Sequence, residues 1–562
     1  MNTPTLLRIV LIAMAWALPT AALAEGGKPG FLIVAPDRGF LGNQEIQALV
    51  QDFKKDYLGA LALIGRDYAG PENEYAAYAT KAIQELKQAG ATEIVAVPLF
   101  LSASDPLLKR VAPALPAYAG GLAVRWAPAM ADDYLIGQVL LDRVAAISQQ
   151  PAAERLILIG TGAMDDENQK ALKTDIEKLL AYVQRYKRFR EAEAVVYFDR
   201  EAEGAEKKNQ EIKARVLAQI AKQGRTVIVP AFIGPKFDNA MALSSWLEQQ
   251  FKPLQVAYQQ SELLPHANVL LWLKKTANRS VAAAPGEIGV VIMPHGSTQP
   301  WNDAVERTIA PLKAKHRIEM AYGMGDPWII QDAVTRLEQQ GVKRIVFVRM
   351  YALESHMKPL TDYILGLSDR PPSDGQGHGF DHEAVPPHQI RSAALFSTFG
   401  GYEEYAGISQ VMCDRMMEVS KDPGKETVIL LAHGEGTDEG NSKWLAIMNG
   451  NIERIKKDPR CARFKTIRAA AVREDWPDKR KAAVEEVRHM IEEDGKNSRV
   501  IVIANRLYGS GPYRKMLKGL QYDLNEKGLV HPVITRWLEE GIGQVGTALA
   551  RPSDSFQRLA QQ

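Results

Sequence analysis

The chain has 562 residues, of which 46% are hydrophobic and 24% are charged, and its formal net charge is +2. This length exceeds what one compact core accommodates, so several domains are expected. The near-neutral charge gives no broad basic surface, and no nucleic-acid-binding motif is present, which argues against nucleic acid as a partner.

The first 24 residues are typical of a secretory signal peptide. They contain one early cation, Arg8, then an apolar core and the small-residue sequence Ala22-Leu23-Ala24. The apolar core is shorter than the roughly 20 residues that cross a bilayer, which favours a cleaved signal over an uncleaved anchor. We therefore expect an exported, periplasmic protein with no membrane span in its mature chain.

One order of elements recurs four times along the chain. Opening strands are expected at 31–39, 156–166, 289–298 and 427–436, and later strands at 93–104, 226–235, 344–356 and 499–511. These Val/Ile/Leu-rich runs alternate with amphipathic helices, a pattern typical of parallel strands that are covered on both faces. The predicted fold class is α/β, with repeated three-layer αβα units around parallel sheets.

Two closing segments indicate that the four units form two tandem modules. QVLLDRV (138–144) and QVMCDRM (410–416) occupy the same place in the first and third units. Breaks in the periodicity give the unit boundaries. The predicted units are unit 1 (25–150), unit 2 (151–280), unit 3 (285–422) and unit 4 (423–550).

A Pro- and Gly-rich insertion at 367–390 interrupts unit 3 and contains His378, His382 and His388. We expect a long loop that can fold over the neighbouring strand ends. Its histidines would then collect metal, although such loops also contain histidines without a function.

The chain has two cysteines, Cys413 and Cys461, too few for a disulfide scaffold. A single bridge and two separate buried thiols are both compatible with the sequence. We expect the separate thiols.

Two histidines follow strands of unit 3: His295 the opening strand and His356 the later one. Ligands of parallel sheets bind beyond the carboxyl ends of the strands, so these imidazoles can meet over one crevice. Neutral imidazole binds divalent first-row metals and accepts protons near neutral pH. A lone histidine in a loop is usually a hydrogen-bonded structural residue, but the pair favours a functional site.

The sequence HGS after an opening strand, followed by RIVFVRMYALESH at 344–356, resembles the class II chelatases, specifically the sirohydrochlorin cobaltochelatases of the CbiX and CbiK kind. The resemblance is good in unit 3 and weak over the rest of the mature chain. It implies ATP-independent insertion of Co²⁺, Ni²⁺ or Fe²⁺ into a tetrapyrrole, with no nucleotide. It also implies that His295 and His356 are metal ligands and proton acceptors.

The family also uses a carboxylate, and in unit 3 its place in IEMAYGMGDP is taken by Met324. Glu319 is our candidate for the missing acid, and Asp326 is a second neighbour. In unit 4, by the same resemblance, His433 and Glu474 match a histidine and the carboxylate, and we expect them to contribute to a metal site.

Other positions of the family pattern are changed. Tyr513 stands nearest to the place of the later histidine in unit 4, and Asp37 and Asp105 occupy the histidine positions of unit 1. Because neither unit of the first module keeps an imidazole at these strand-end positions, we expect that module to be structural or to help enclose a ligand.

Binding sites for flat macrocycles are mostly apolar with a few placed polar groups. We expect Trp301, Tyr351 and Lys358 to contact the tetrapyrrole, with Arg349 as another partner for its carboxylates. Core packing is the alternative explanation for the aromatic residues.

Two functions are compatible with these features. One is an exported chelatase, and the other is a non-catalytic periplasmic protein that binds or carries metal or tetrapyrrole, which implies transport partners. A turnover requirement for both histidines distinguishes them.

Overall fold

The computed structural model describes residues 27–65, 73–252, 254, 256–372 and 385–553, so the predicted signal peptide lies outside the described residues. The molecule consists of four α/β units, each built on a four-stranded parallel sheet, which confirms the predicted fold class. In every sheet the second strand of the unit is followed by the first, third and fourth. None of the helices in the described ranges is long and apolar enough to cross a bilayer.

The first two units contain eight strands and nine helices of the α type among the described residues. Unit 1 consists of β1 (Pro29–Pro36), α1 (Phe40–Lys54), β2 (Gly59–Ile64), α2 (Asn73–Gln88), β3 (Glu93–Pro98), α3 (Pro106–Val111), α4 (Leu115–Tyr118), β4 (Ala123–Trp126) and α5 (Tyr134–Ala145). Unit 2 consists of β5 (Arg155–Ala163), α6 (Asp166–Tyr186), β6 (Glu191–Phe198), α7 (Ala205–Ile220), β7 (Thr226–Pro230), α8 (Leu243–Phe251), β8 (Val256–Tyr258) and α9 (Ala267–Ser280).

The last two units repeat this order. Unit 3 consists of β9 (Ile288–Pro294), α10 (Gln299–Lys313), β10 (Arg317–Met320), α11 (Pro327–Gln339), β11 (Arg344–Met350), α12 (Lys358–Ile364), β12 (Leu395–Phe399) and α13 (Ile408–Met417). Unit 4 consists of β13 (Glu426–Ala432), α14 (Asp438–Ile455), β14 (Thr466–Ala471), α15 (Pro477–Gly495), β15 (Arg499–Asn505), α16 (Tyr513–Met516), β16 (Asp523–Asn525) and α17 (Pro532–Leu549).

Strand β1 shows how both faces of a sheet are buried. Leu32 and Val34 pack into a core with α2, whereas Phe31 and Ile33 point the other way and pack with α1. The second core continues into unit 2, and a corresponding core joins units 3 and 4. These shared cores define module 1 (units 1 and 2) and module 2 (units 3 and 4).

The closing segments that suggested a duplication make the same contact in both modules. Asp142 of α5 lies 3.2 Å from Nε2 of His266, whose Nδ1 caps α9. Asp414 of α13 lies 3.4 Å from Nε2 of His531, which caps α17 in the same way. The pairing shows that the modules share one framework.

An asparagine holds the loop after each opening strand. It lies near the start of the following helix, and its side-chain oxygen accepts a hydrogen bond from a loop amide. The four residues are Asn43, Asn168, Asn302 and Asn441, with distances of 2.9, 3.1, 3.0 and 3.2 Å. The opening loops are thus built alike whatever side chains they carry.

Cys413 and Cys461 form a disulfide, so the expectation of two separate thiols is wrong. Both residues are fully buried in the core of module 2, because α13 packs against α14 and the turn that follows it. The pairing depends on helix packing between residues that are 48 positions apart, which the spacing of the cysteines does not reveal.

The described end of the insertion lies at the interface between the modules. Gln138 Nε2 donates to the Gln389 carbonyl at 2.7 Å, and the Tyr134 hydroxyl donates to the Ile390 carbonyl at 3.0 Å. His388 stacks on Tyr186 of unit 2 at 5.4 Å and lies 5.9 Å from Trp328 of unit 3. His378 and His382 lie outside the described residues.

Candidate functional site

His295 directly follows β9 and is exposed to solvent. Its Nδ1 lies 2.6 Å from the Gly296 carbonyl. Gly296 has φ +76°, and a Cβ there would lie 3.3 Å from the Tyr322 side chain, so glycine suits both the backbone and the space. The turn presents the imidazole at the rim of unit 3, but no contact between His295 and His356 is present in the described structure.

His356 instead faces the neighbouring unit. Its Nε2 lies 2.5 Å from Oε1 of Glu435, which belongs to the opening loop of unit 4. The two groups lie within ion-pair distance but without hydrogen-bond alignment, and Nδ1 accepts a long 3.5 Å bond from the Leu353 amide. The expected partner within unit 3 is therefore replaced by a carboxylate from unit 4.

His433 forms a second histidine–carboxylate pair. Its Nε2 lies 3.0 Å from Oδ2 of Asp475, and its Nδ1 lies 2.9 Å from the Gly434 carbonyl. Glu474, the carboxylate expected beside His433, turns its side chain to Arg506. Only the Glu474 backbone contacts His433, through an amide that donates to its carbonyl at 3.1 Å.

The two pairs lie around one buried indole. The ring of Trp444 contacts the edge of His356 at 5.2 Å and is nearly parallel to His433 at 6.3 Å. We call this group, made of His356, Glu435, His433, Asp475 and Trp444, the dyad site. It spans the joint between units 3 and 4, beyond the carboxyl ends of β11 and β13.

Glu435 is ionised more easily than an ordinary glutamate. Burial opposes its ionisation, but the His356 imidazole, the Gly436 amide and the charge of His433 outweigh that cost and lower its pKa. A carboxylate beside an imidazole stabilises the protonated ring, so the pair is suited to accepting a proton.

Two unusual backbone conformations flank the dyad site. Met357, next to His356, has φ +60°, and Arg473, next to Glu474, has φ +51°. Residues with side chains adopt this region rarely, and such outliers cluster at functional sites. Arg473 uses its position to donate to the Glu435 carbonyl at 2.7 Å and to pair with Asp438, which fixes the loop of unit 4.

The acid proposed for unit 3 is used elsewhere. Glu319 lies within β10 and pairs in register with Val291, four residues before His295. Its side chain forms an ion pair with Arg336 of α11 at 2.8 Å. Met324 packs against the core beneath α11 and α12, and Asp326 caps α11 through the amides of Trp328 and Ile329.

Several expected tetrapyrrole contacts have structural partners. Trp301 packs against the core of module 2, and the Tyr351 hydroxyl donates to the Gly323 carbonyl at 2.8 Å. Lys358 lies 3.1 Å from Asp362. Arg349 is wholly buried and bonds Thr398 and Glu354, so it is not a rim group. A strand covered on both faces has no exposed side, which the expectation for Arg349 overlooked.

Sequence reasoning missed Glu435, Asp475 and Trp444. Glu435 was within reach, because unit 4 reads HGEG where unit 3 reads HGST. Asp475 was also within reach, because it directly follows Glu474, which was already a predicted site residue. Trp444 had none, since an aromatic residue on the buried side of a helix is ordinarily core.

In module 1 the corresponding strand ends are filled by ion pairs. Arg38 is buried after β1 and bonds Glu262 at 2.9 Å and Glu45 at 2.7 Å. Lys236 from the later loop of unit 2 also pairs with Glu45, at 2.6 Å. Asp37 accepts from the Gly39 amide and Asn43, and Asp105 caps α3, so neither faces a crevice with an imidazole.

Metal-ligating side chains do not converge in threes anywhere in the described ranges. The dyad site is therefore two separate pairs and not a preassembled cage. No metal-ligand distances follow from it.

Eight solved chains are similar in structure to this chain. No family model matches the chain, and neither does any curated protein. One solved structure, SirB from Bacillus subtilis with Fe3+, has 18% identity and a TM-score of 0.34, covering 44% of this chain and 96% of SirB. Another, the sirohydrochlorin chelatase SirB from Bacillus subtilis subspecies spizizenii in complex with cobalt, has 17% identity and a TM-score of 0.31, covering 43% and 91%. These values support no inference about activity.

Proposed function

We propose that this protein is an exported, ATP-independent chelatase that inserts a divalent metal into a tetrapyrrole at the dyad site. The observation that carries the proposal is the presence of two histidine–carboxylate pairs around Trp444, one bridging units 3 and 4 and the other within unit 4. Ligands of parallel sheets bind at such strand ends.

The chemistry of insertion requires two proton acceptors. The metal forms bonds to the four ring nitrogens, and the two N–H bonds of the macrocycle break, so two protons leave. His356 with Glu435 takes one proton, and His433 with Asp475 takes the other. In each pair the carboxylate stabilises the imidazolium that forms.

His295 is proposed as the entry ligand for the metal substrate. It is exposed at the rim of unit 3, and imidazole binds Co²⁺, Ni²⁺ and Fe²⁺ alike. The metal passes from this rim to the macrocycle, and the dyads remove the protons that it displaces. The choice among the three metals follows from supply and geometry rather than from the imidazoles.

The test is insertion of Co²⁺ into sirohydrochlorin, followed by absorbance, with the macrocycle in large excess over the mature protein. We expect multiple turnovers, loss of turnover in His356→Ala, and normal turnover in His266→Asn, where asparagine keeps the helix cap. Binding of one equivalent with no rate above the uncatalysed background would overturn the chelatase and leave a carrier.

Export is part of the same proposal. The sequence of residues 1–24 and the buried disulfide support it, because disulfides persist in oxidising compartments. Cell fractionation with amino-terminal sequencing tests it, and we expect a periplasmic protein that begins at Glu25. A full-length chain in the cytoplasmic fraction would contradict export.

A further inference from the structure

We propose that Glu403 is a positioning residue that acts through Trp444 to hold both imidazoles of the dyad site. This inference rests on the proposed function for its consequence in metal insertion. Its geometric part can be tested without any insertion activity.

Glu403 is fully buried and is bonded by both units. Its backbone amide donates to the Ala352 carbonyl at 3.0 Å, in the loop that leads to His356. From unit 4, Trp444 Nε1 and Asn505 Nδ2 donate to the same carboxylate oxygen, Oε2, at 2.9 and 2.8 Å. The side chain therefore ties the loop of His356 to the helix that carries Trp444.

The indole transmits this constraint to the two histidines. Trp444 is 5% exposed, and its ring contacts His356 at 5.2 Å and His433 at 6.3 Å. Because the ring is held at its nitrogen by Glu403, it cannot rotate without breaking a buried hydrogen bond. A fixed ring in turn limits where the imidazoles lie.

A role in folding stability does not by itself explain why the buried residue 403 is a glutamate. Oε1 of Glu403 has no hydrogen-bond partner, and no ion pair within the described ranges involves Glu403. Burial raises its pKa to about 7, although Trp444 and Asn505 favour the ionised form. A buried carboxyl group with an unpaired oxygen is costly, and the bonds from Trp444 and Asn505 are what offsets that cost.

Module 1 shows that the same turn folds without the acid. There the amide of Ala131 donates to the Leu101 carbonyl at 2.9 Å, just as Glu403 does to Ala352. Ala131 is 7% exposed, and the loop of Leu101 leads to Asp105 where module 2 has His356. The turn therefore does not require a glutamate, and the glutamate is present in the module that has the imidazoles.

The experiment compares Glu403→Leu with Glu403→Gln in the mature protein. Leucine fills the space but removes the acceptor, whereas glutamine keeps an oxygen for both donors. Trp444→Phe keeps an aromatic ring and removes the anchored N–H. The first readout is the ring C–H spectrum of isotope-labelled histidines, because Trp444 shifts the signals of neighbouring rings.

We expect Glu403→Leu and Trp444→Phe to move the His356 and His433 signals and Glu403→Gln to leave them near their wild-type positions. The signals of His266 and His531, which cap distant helices, should stay in place in all variants. Unmoved His356 and His433 signals in a folded Glu403→Leu protein would overturn the proposal. Equal displacement in the leucine and glutamine variants would also overturn it.

The second readout is metal insertion, where we expect a roughly tenfold fall in kcat for Glu403→Leu, rescue by Glu403→Gln, and an unchanged KM for the tetrapyrrole. If the wild type inserts no metal, the proposed function fails while the spectra still decide the positioning role. If insertion occurs but Glu403→Leu retains full kcat, the positioning role fails and the proposed function stands.

Discussion

The two modules share a framework but differ in what occupies their strand ends. In both, a histidine caps the last helix and pairs with an aspartate of the closing segment. In both, the first strand of the second unit is joined to the preceding segment by a buried glutamate that accepts from a serine, Glu154 from Ser148 and Glu426 from Ser420. At the strand ends of module 1, Arg38 forms buried ion pairs with Glu262 and Glu45, whereas module 2 has imidazoles at its strand ends.

The difference separates contacts that build the shared framework from residues that are specific to module 2, where we propose that the chemistry takes place. Contacts present in both modules are explained by folding, since module 1 keeps them without a histidine at its strand ends. The dyad site and Glu403 are present only in module 2 among the described residues, so folding does not explain them. We therefore look for function at the positions where the two modules differ.

The largest expected effect comes from breaking one dyad. His356→Ala should lower the insertion rate roughly 1000-fold, because the loss of a positioned proton acceptor costs about that much. Asp105→Asn is the matched change at the corresponding position of module 1, where asparagine preserves the cap of α3. Steady-state insertion kinetics should show full activity for it, and an equal loss in both variants would contradict the comparison.

Opening the ion cluster of module 1 should affect stability and not chemistry. Glu262→Leu leaves one side of the buried Arg38 guanidinium without its partner and should lower the free energy of unfolding by about 3 kcal/mol. Urea denaturation measures the change, with the exposed Lys55→Ala as control. Insertion per folded molecule should stay at the wild-type rate, and a specific loss of activity would show that module 1 takes part in the reaction.

The titration of Glu403 gives module 2 a pH dependence that Ala131 cannot give module 1. Its pKa rises from 4.5 to about 7 on folding, so the native state binds the proton more tightly than the unfolded state. The free energy of unfolding should therefore fall as the pH rises through this window, by about 3 kcal/mol in total.

Glu403→Gln removes this titration. The difference in unfolding free energy between wild type and variant, measured by urea denaturation from pH 4.5 to pH 8, should show the slope. A difference that is constant with pH would mean that Glu403 has an ordinary pKa in the folded protein.

The smallest expected effect comes from adding an imidazole to module 1. Asp37→His places an imidazole at the end of β1. The ion pairs of Arg38 still occupy the strand ends of module 1, so no histidine–carboxylate pair forms there. We expect no gain in insertion when this change is made in the His356→Ala background. Recovered activity would show that an imidazole at a strand end suffices.

The fold could be predicted because its signals are local. Each opening strand is a continuous apolar run followed by a turn, and four such runs in one order indicate four parallel sheets. The pairing of modules also had a local signal in QVLLDRV and QVMCDRM. The disulfide and the contact of the insertion with module 1 did not, because both depend on which surfaces of distant segments meet.

The site could be predicted only in part. His356 and His433 were predicted because each follows a strand, whereas the carboxylates that lie beside them come from the neighbouring unit and from the residue next to the expected one. Glu319, our candidate acid, lies one residue before the end of β10, and its side chain pairs with Arg336 of α11 rather than with a histidine. Contacts between units are set by packing, which one unit's sequence does not contain.

The central claim is that the reaction uses the joint between units 3 and 4 rather than unit 3 alone. Insertion of Co²⁺ into sirohydrochlorin by His433→Ala, beside His295→Ala, tests it most directly. We predict that His433→Ala loses roughly 1000-fold in rate, as His356→Ala does, whereas His295→Ala raises the KM for Co²⁺ and keeps most of kcat. A fully active His433→Ala protein together with an inactive His295→Ala protein would contradict this account and place the site within unit 3.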